Sequence, residues 1–398
     1  MKTMTDNKKV VLMYSGGLDT SVCVKLLQDK YGLEVITVLG DVGQKADFKA
    51  LEDKALKLGA VKHYTVDCKK EFAEKYVWKA LKANALYCDY YPVSTSIARP
   101  IIAIKAIEIA KKEGAVNIAH GCKGRGADYF RFMVFLKHFA PELKIVSPIT
   151  DWWPTRDEEA AYAYQNNIPV PISKDQPFSY DENLWGNAIN YGDIDDIEKM
   201  VPEGCFKWTV PLEQAPDKAE IINLKFEDGI PTHINGEKMD AVELIMTLNE
   251  VGGKHGIGRV DMIEDGIYGT KFKWVYEVPA AQILVEAHKE LERIVLTKDT
   301  LIFKDEVDKK WAKLAYDSFW FNPLIKGLEA FEEEMQGYVN GEVTLKLYKG
   351  NTKMMKRSTK HSLIIPYDKD SVVQVPYGLE DAVFIKANPQ VLATYKEG

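Results

Sequence analysis

No apolar stretch in the 398-residue chain approaches the roughly 20 residues a membrane-spanning helix needs, so no membrane partner is expected. The opening "MKTMTDNKK" lacks the apolar core of a secretory signal. Cysteine is scarce: Cys23, Cys68, Cys88, Cys122 and Cys205 form an odd set with no C-x-x-C, which argues against both a disulfide framework and a zinc site. A cytoplasmic protein is expected on these grounds. Basic blocks are absent too. With a net charge of −7 and a pI of about 5.7, nucleic acid is not an expected partner. Two familiar nucleotide fingerprints, G-x-x-x-x-G-K-[ST] and G-x-G-x-x-G, are missing as well. "HGCKGRGAD" (residues 120–128) has its glycines in another order, and no internal repeat or low-complexity segment appears.

What is present begins with "VVLMYSGGLDTSVCVKLLQDKYG". Val10 to Tyr14 reads as a buried strand, and Val22, Leu26 and Leu27 recur on one face of a helix that stops at Gly32. Ser15-Gly16-Gly17-Leu18-Asp19-Thr20-Ser21 therefore turns a strand into a helix. The first amides of such a helix lack partners and carry partial positive charge, which suits an anion. Gly16 and Gly17 permit positive φ and leave no Cβ between backbone and ligand. Ser15, Thr20 and Ser21 add hydroxyl donors. This pattern reads as a phosphate loop. Asp19 has two readings, a Mg²⁺ ligand acting through bound phosphates or a helix-start cap.

The first 170 residues alternate strand and helix. Strands are expected at "VVLMY", "EVITVLGDV", "KHYTVD", "AVNIAHG" and "KIVSP", with helices at "CKKEFAEKYVWKALKANA" and "STSIARPIIAIKAIEIAKKEG". An α/β, doubly wound parallel sheet follows, with ligands at the carboxyl ends of its strands. Those ends hold Ser15–Gly17, Gly40-Asp41 and His120-Gly121. From residue 171 to 365 the pattern is α+β: a hairpin over 219–239 turning at Asn235-Gly236, helices over 240–256, 280–296 and 305–339, and a hairpin over 341–359. The tail 366–398 contains an amphipathic helix, read equally as an oligomerisation arm or as packing on its own domain.

"YSGGLDTSV", "GDVGQ", "YPVSTSIARP", "AHGCKGRGADYFRF", "FSYDENLWG", "HGIGRVDMIEDGIYG", "YEVPAAQIL" and "NGEVTLKLYKGN", in this order, resemble the argininosuccinate synthase family over nearly the whole chain. The phosphate loop is similar to that of N-type ATP pyrophosphatases. The resemblance implies an ATP-dependent C–N ligase that joins citrulline to aspartate through citrullyl-AMP, with Mg²⁺, as a homotetramer. It places Tyr14, Ser15, Gly16, Gly17, Leu18, Asp19, Thr20, Ser21, Gly40 and Gly121 on ATP. Tyr91, Ser96, Arg131, Ser179, Glu264 and Tyr276 fall on citrulline, and Lys123 and Asp128 on aspartate.

Several positions depart from the family pattern. Lys123 and Ala127 replace a threonine and an asparagine, Ala188 a serine, and Ser94 and Trp274 glycines. Lys123 is a cation where a carboxylate is expected, or it faces solvent. Trp274 closes the pocket or pads it. Hydrogen bonds to charged groups contribute roughly 1.5–3 kcal/mol each, so several losses together would change substrate preference. Two functions remain open: argininosuccinate synthesis, or the same adenylation with another ureido acceptor or acidic amine. A tRNA sulfur transferase shares the loop but needs a reactive cysteine pair and a basic surface.

Overall fold

The computed structural model describes residues 8–124, 126–169 and 178–364. The first unit runs β1 (Lys9–Met13), α1 (Leu18–Asp29), β2 (Glu34–Asp41), α2 (Phe48–Lys57), β3 (Lys62–Asp67), α3 (Lys69–Phe72), α4 (Trp78–Lys82), α5 (Ser94–Glu113), β4 (Asn117–Ala119), α6 (Ala127–Phe139), β5 (Lys144–Val146), α7 (Pro148–Trp152) and α8 (Arg156–Gln165). Its sheet is wholly parallel, in the order β3-β2-β1-β4-β5.

Alternation along β1 builds both faces of this sheet. Val10, Leu12 and Tyr14 pack with Val22 and Leu26 of α1, Ala55 of α2, Ile149 of α7 and Ala163 of α8. Val11 and Met13 pack with Ala103, Ala106 and Ile107 of α5 and Phe132, Phe135 and Leu136 of α6. A strand covered on both sides reads as a continuous apolar run, which is why "VVLMY" is legible. Burying each such side chain stabilises the fold by about 1.5–3 kcal/mol. The doubly wound sheet is as expected from sequence.

The helix expected over 68–85 is interrupted: residues Ala73–Val77 form a π-helical turn between α3 and α4. Phe72, Val77, Trp78 and Leu81 from this region, with Ile97 and Ile101 of α5, enter the same core as the second half of the chain.

That half runs β6 (Ser179–Asn183), β7 (Gly186–Asn190), β8 (Glu220–Glu227), β9 (Ile230–Ile234), β10 (Glu237–Lys238), α9 (Ala241–Lys254), β11 (Arg259–Asp265), β12 (Lys271–Glu277), α10 (Pro279–Val295), α11 (Lys298–Tyr316), α12 (Pro323–Gln336), β13 (Gly341–Tyr348) and β14 (Asn351–Ser358). Two antiparallel sheets result, β10-β9-β8-β13-β14 and β11-β12-β7-β6. The first hairpin turns at Asp228-Gly229, both at positive φ, rather than at Asn235-Gly236. The latter pair also turns, but it joins β9 to the two-residue β10. Both pairs suit a two-residue turn, and the long-strand register of β8 on β13 selects the earlier one as the main bend. The helix expected in the tail lies outside the described residues.

Candidate active site

β1 and β4 are neighbours, and the connection after β1 runs to β2 on one side while that after β4 runs to β5 on the other, which opens a crevice at their carboxyl ends. The loop from Tyr14 to Gly17 sits there. Gly16 has φ +77, and Leu51 of α2 fills the space a side chain would take. Ser15 N–H donates to Thr20 Oγ1 at 3.3 Å, and the two hydroxyls lie 3.1 Å apart. Ser21 Oγ donates to the Gly16 carbonyl, as does Lys54 Nζ from α2 at 2.7 Å. No side chain caps α1, whose first amides are left for an anion. Opposite, Gly121 follows β4. A Cβ there would lie 3.0 Å from Thr20 Cγ2 and 3.2 Å from Thr20 N, so the two loops touch because this residue is glycine. Gly40, near the end of β2, backs onto Ile102 and Cys68.

His120 fixes the second loop. Its Nδ1 accepts from Cys122 N–H at 3.3 Å, which makes Nε2 the protonated nitrogen, 3.0 Å from Ser147 Oγ. Burial holds this imidazole neutral, with its pKa pushed down to about 4.

Beside the phosphate loop lies a charge cluster. Lys123 Nζ is 3.3 Å from the carboxylate of Glu159, which is wholly buried. Burial, then the Asp19 carboxylate, pushes Glu159 up to about 8. Desolvation works against the Lys123 charge, but Asp19 and Glu159 outweigh it and raise its pKa. Lys123 thus faces the phosphate-loop side of the crevice. Nothing in the spacing of α8 pointed to Glu159.

The sheet β11-β12-β7-β6 supplies the other wall. Its register sets Asp181, Ala188, Tyr276 and Val260 in one row. Since side chains alternate, Ser179, Trp274 and Glu264 share that face, while Ile189 and Val275 turn to a small core behind. Four positions expected from separate motifs, Ser179, Glu264, Tyr276 and the altered Ala188, are gathered by one sheet face. Tyr91 stacks on Tyr276 with ring centroids 4.4 Å apart, and the Trp274 ring lies near-parallel to Tyr276 at 6.0 Å. Trp274 is therefore part of an aromatic stack within the site wall. Trp274→Ala is expected to lower stability by about 1–2 kcal/mol and raise the KM for the acceptor several-fold, leaving the ATP KM unchanged; thermal unfolding and initial rates read both.

α5 packs against β6 and β7. It brings in Ser96, whose buried Oγ has no hydrogen-bond partner among the described residues, and Arg99. Arg99 bridges Asp181 and Asp128, the latter at 2.6 Å. Arg131, 4% exposed, holds the other oxygen of Asp128 at 2.9 Å. Burial opposes the Asp128 charge, but the two guanidinium groups hold its carboxyl well below the usual range. Glu264 is 5% exposed and accepts from Tyr276 Oη at 2.5 Å and from Tyr316 Oη. Arg99, Asp181 and Tyr316 were not singled out from sequence. Arg99 and Asp181 do lie inside the quoted motifs "STSIARP" and "FSYDENLWG", whereas Tyr316 lies outside all of them.

Comparison with known proteins agrees with this architecture. The family model for the arginosuccinate synthase N-terminal HUP domain matches residues 9–169, and that for the C-terminal domain matches residues 178–380. Argininosuccinate synthase of Pyrococcus furiosus is 52% identical over 89% of this chain and 86% of its own length. The enzymes of Methanococcus maripaludis (50%; 89% and 90%) and Halalkalibacterium halodurans (48%; 89% and 87%) are similar to the same extent. With both family models matched in order around the crevice just described, the chain belongs to the argininosuccinate synthase family.

Proposed function

We propose a residue-by-residue course for the ligation that membership in this family implies. The chain is an ATP-dependent C–N ligase that joins citrulline and aspartate into argininosuccinate. The citrulline ureido oxygen attacks the α-phosphorus of ATP, and the bond to pyrophosphate breaks. The aspartate amine then attacks the ureido carbon, and AMP leaves with the former ureido oxygen. A urea oxygen is a poor leaving group, and adenylation makes it a good one.

The uncapped start of α1 behind Gly16 and Gly17 is the observation that carries the nucleotide half. Tyr14 to Ser21 hold the β- and γ-phosphates, Gly121 lets the second loop close on them, and Gly40 leaves room at the adenine. Tyr91, Ser96, Arg131, Ser179, Glu264 and Tyr276 hold citrulline, Arg131 through its planar donor fork on the carboxylate and Glu264 on the ammonium. Asp128, kept ionised by its two arginines, accepts from the aspartate amine. Lys123 neutralises negative charge at the junction of the aspartate and phosphate sites. Asp19 stands in the first turn of α1 beside the phosphate loop, where a carboxylate next to bound phosphates suits a hard divalent cation. Asp19 would hold Mg²⁺ together with the phosphates, and the ion would offset charge on the departing pyrophosphate. The residue ranges 1–170, 171–365 and 366–398 serve as nucleotide-binding domain, synthetase domain and oligomerisation arm. A cytosolic homotetramer belongs to the same reading. Support comes from five unpaired cysteines and from exposed apolar side chains such as Ile302 and Phe303 on α11.

Pyrophosphate release and product mass, measured with Mg-ATP, citrulline and aspartate singly and together, test this course. Pyrophosphate should require ATP and citrulline, and argininosuccinate should require all three. Pyrophosphate without argininosuccinate would move the amine site to another donor. Absence of turnover despite ATP binding would favour an altered acceptor, the reading that Ala188 and Trp274 support.

A further inference from the structure

We infer that Tyr316 is a positioning residue that holds Arg131 and Glu264 as a matched pair for the two charged ends of an α-amino acid. The inference rests on the assignment of those two residues to citrulline. Tyr316 ends α11, and its side chain is wholly buried. Its carbonyl accepts from Arg131 Nε at 2.8 Å, and its ring lies under the guanidinium, 4.6 Å from centroid to Cζ. Its hydroxyl donates to Glu264 Oε1. One residue therefore touches a cation from α6 and an anion from β11, elements more than 100 residues apart in sequence.

Tyr316 is itself held. Tyr87 stacks on its ring with centroids 3.7 Å apart, and Tyr87 Oη donates to the carbonyl of Asp265, next to Glu264. Tyr91, on the same loop as Tyr87, meets the Tyr316 ring edge at 6.4 Å. Glu264 is then fixed from two directions, by Tyr316 and by Tyr276. A buried carboxylate with its oxygens already directed discriminates strongly against a ligand that lacks the matching donor, because its desolvation is then uncompensated. Tyr316 thus sets the spacing of anion and cation and selects an acceptor carrying both an α-carboxylate and an α-ammonium. Its contribution is to orientation, without contact with the reacting ureido group.

The test compares Tyr316→Phe with Glu264→Gln, alone and combined, on citrulline and on 5-ureidopentanoate, which lacks the α-amino group. Tyr316→Phe keeps the ring, the carbonyl and the stacking. Loss of one hydrogen bond to a charged group corresponds to about a tenfold effect. The KM for citrulline should rise about tenfold, with kcat and the ATP KM little changed. The preference for citrulline over 5-ureidopentanoate should fall by a similar factor. The loss in the double variant should fall short of the product of the two single losses, since Tyr316 acts through Glu264. If Glu264→Gln weakens citrulline and Tyr316→Phe does not, Tyr316 has no positioning role. Equal losses for both acceptors in Tyr316→Phe, or a parallel fall in kcat with every KM, would show a merely structural residue. If Glu264→Gln leaves citrulline unaffected, the site assignment itself is wrong and the inference goes with it. Thermal unfolding of each variant confirms that folded protein is being compared.

Discussion

Arg131→Ala will reduce kcat/KM for citrulline by at least a hundredfold and will destabilise the fold. Arg131 is almost wholly buried, and its Nη1 holds Asp128 while its Nε holds the Tyr316 carbonyl. Removing it takes away the donor fork proposed for the citrulline carboxylate. It also leaves the half-buried Asp128 with Arg99 alone, and losing a hydrogen bond to a charged group typically destabilises by about 1.5–3 kcal/mol. Arg131→Lys keeps the charge but not the fork, so it should recover much of the stability and little of the citrulline affinity. Pyrophosphate release against citrulline concentration, together with denaturant unfolding, separates these two effects. Normal citrulline saturation in Arg131→Ala would show that the residue serves only the Asp128 network.

Gly16→Ala will impair ATP use by at least a hundredfold while affecting stability much less. At φ +77 an L-residue is strained by roughly 1–2 kcal/mol. Leu51 of α2 also occupies the position of the new methyl group, so the loop must shift. That shift moves the Gly16 carbonyl, which anchors both Lys54 and Ser21, and with it the amides aimed at the phosphates. Leu51→Ala in the same chain should restore part of the ATP affinity by making room, although the φ strain remains. ATP binding by calorimetry reads the loop directly. Wild-type affinity in Gly16→Ala would mean that the amides of α1 are not the phosphate ligands.

How much of this was legible in the sequence depended on how local the signal is. The strand, glycines and helix of the phosphate loop are contiguous, so dipole, capping and torsional arguments apply to one short string. The doubly wound sheet was legible for a similar reason, because strands buried on both faces read as apolar runs. The acceptor wall was not. β6, β7, β11 and β12 mix polar and apolar residues on both faces, Asp181 and Glu264 beside Ala188, Met262 and Tyr276 on the wall side and Asp261 and Glu277 beside Ile189 and Val275 behind, so their alternation is faint. Glu159 and Tyr316 are ordinary members of amphipathic helices until folding brings α8 to Asp19 and α11 to Glu264. The misplaced turn has a different cause: Asp228-Gly229 and Asn235-Gly236 are equivalent local signals, and the pairing of β8 with the distant β13 decides between them.

Transfer of oxygen from citrulline to AMP tests the central claim most directly. With ¹⁸O in the ureido group of citrulline, and ATP and aspartate unlabelled, the AMP formed in a single pass should carry one heavy oxygen per molecule. Its pyrophosphate partner should carry none. Label in pyrophosphate or released to water would contradict attack of the ureido oxygen on the α-phosphorus, and with it the arrangement of phosphate loop and acceptor wall across one crevice.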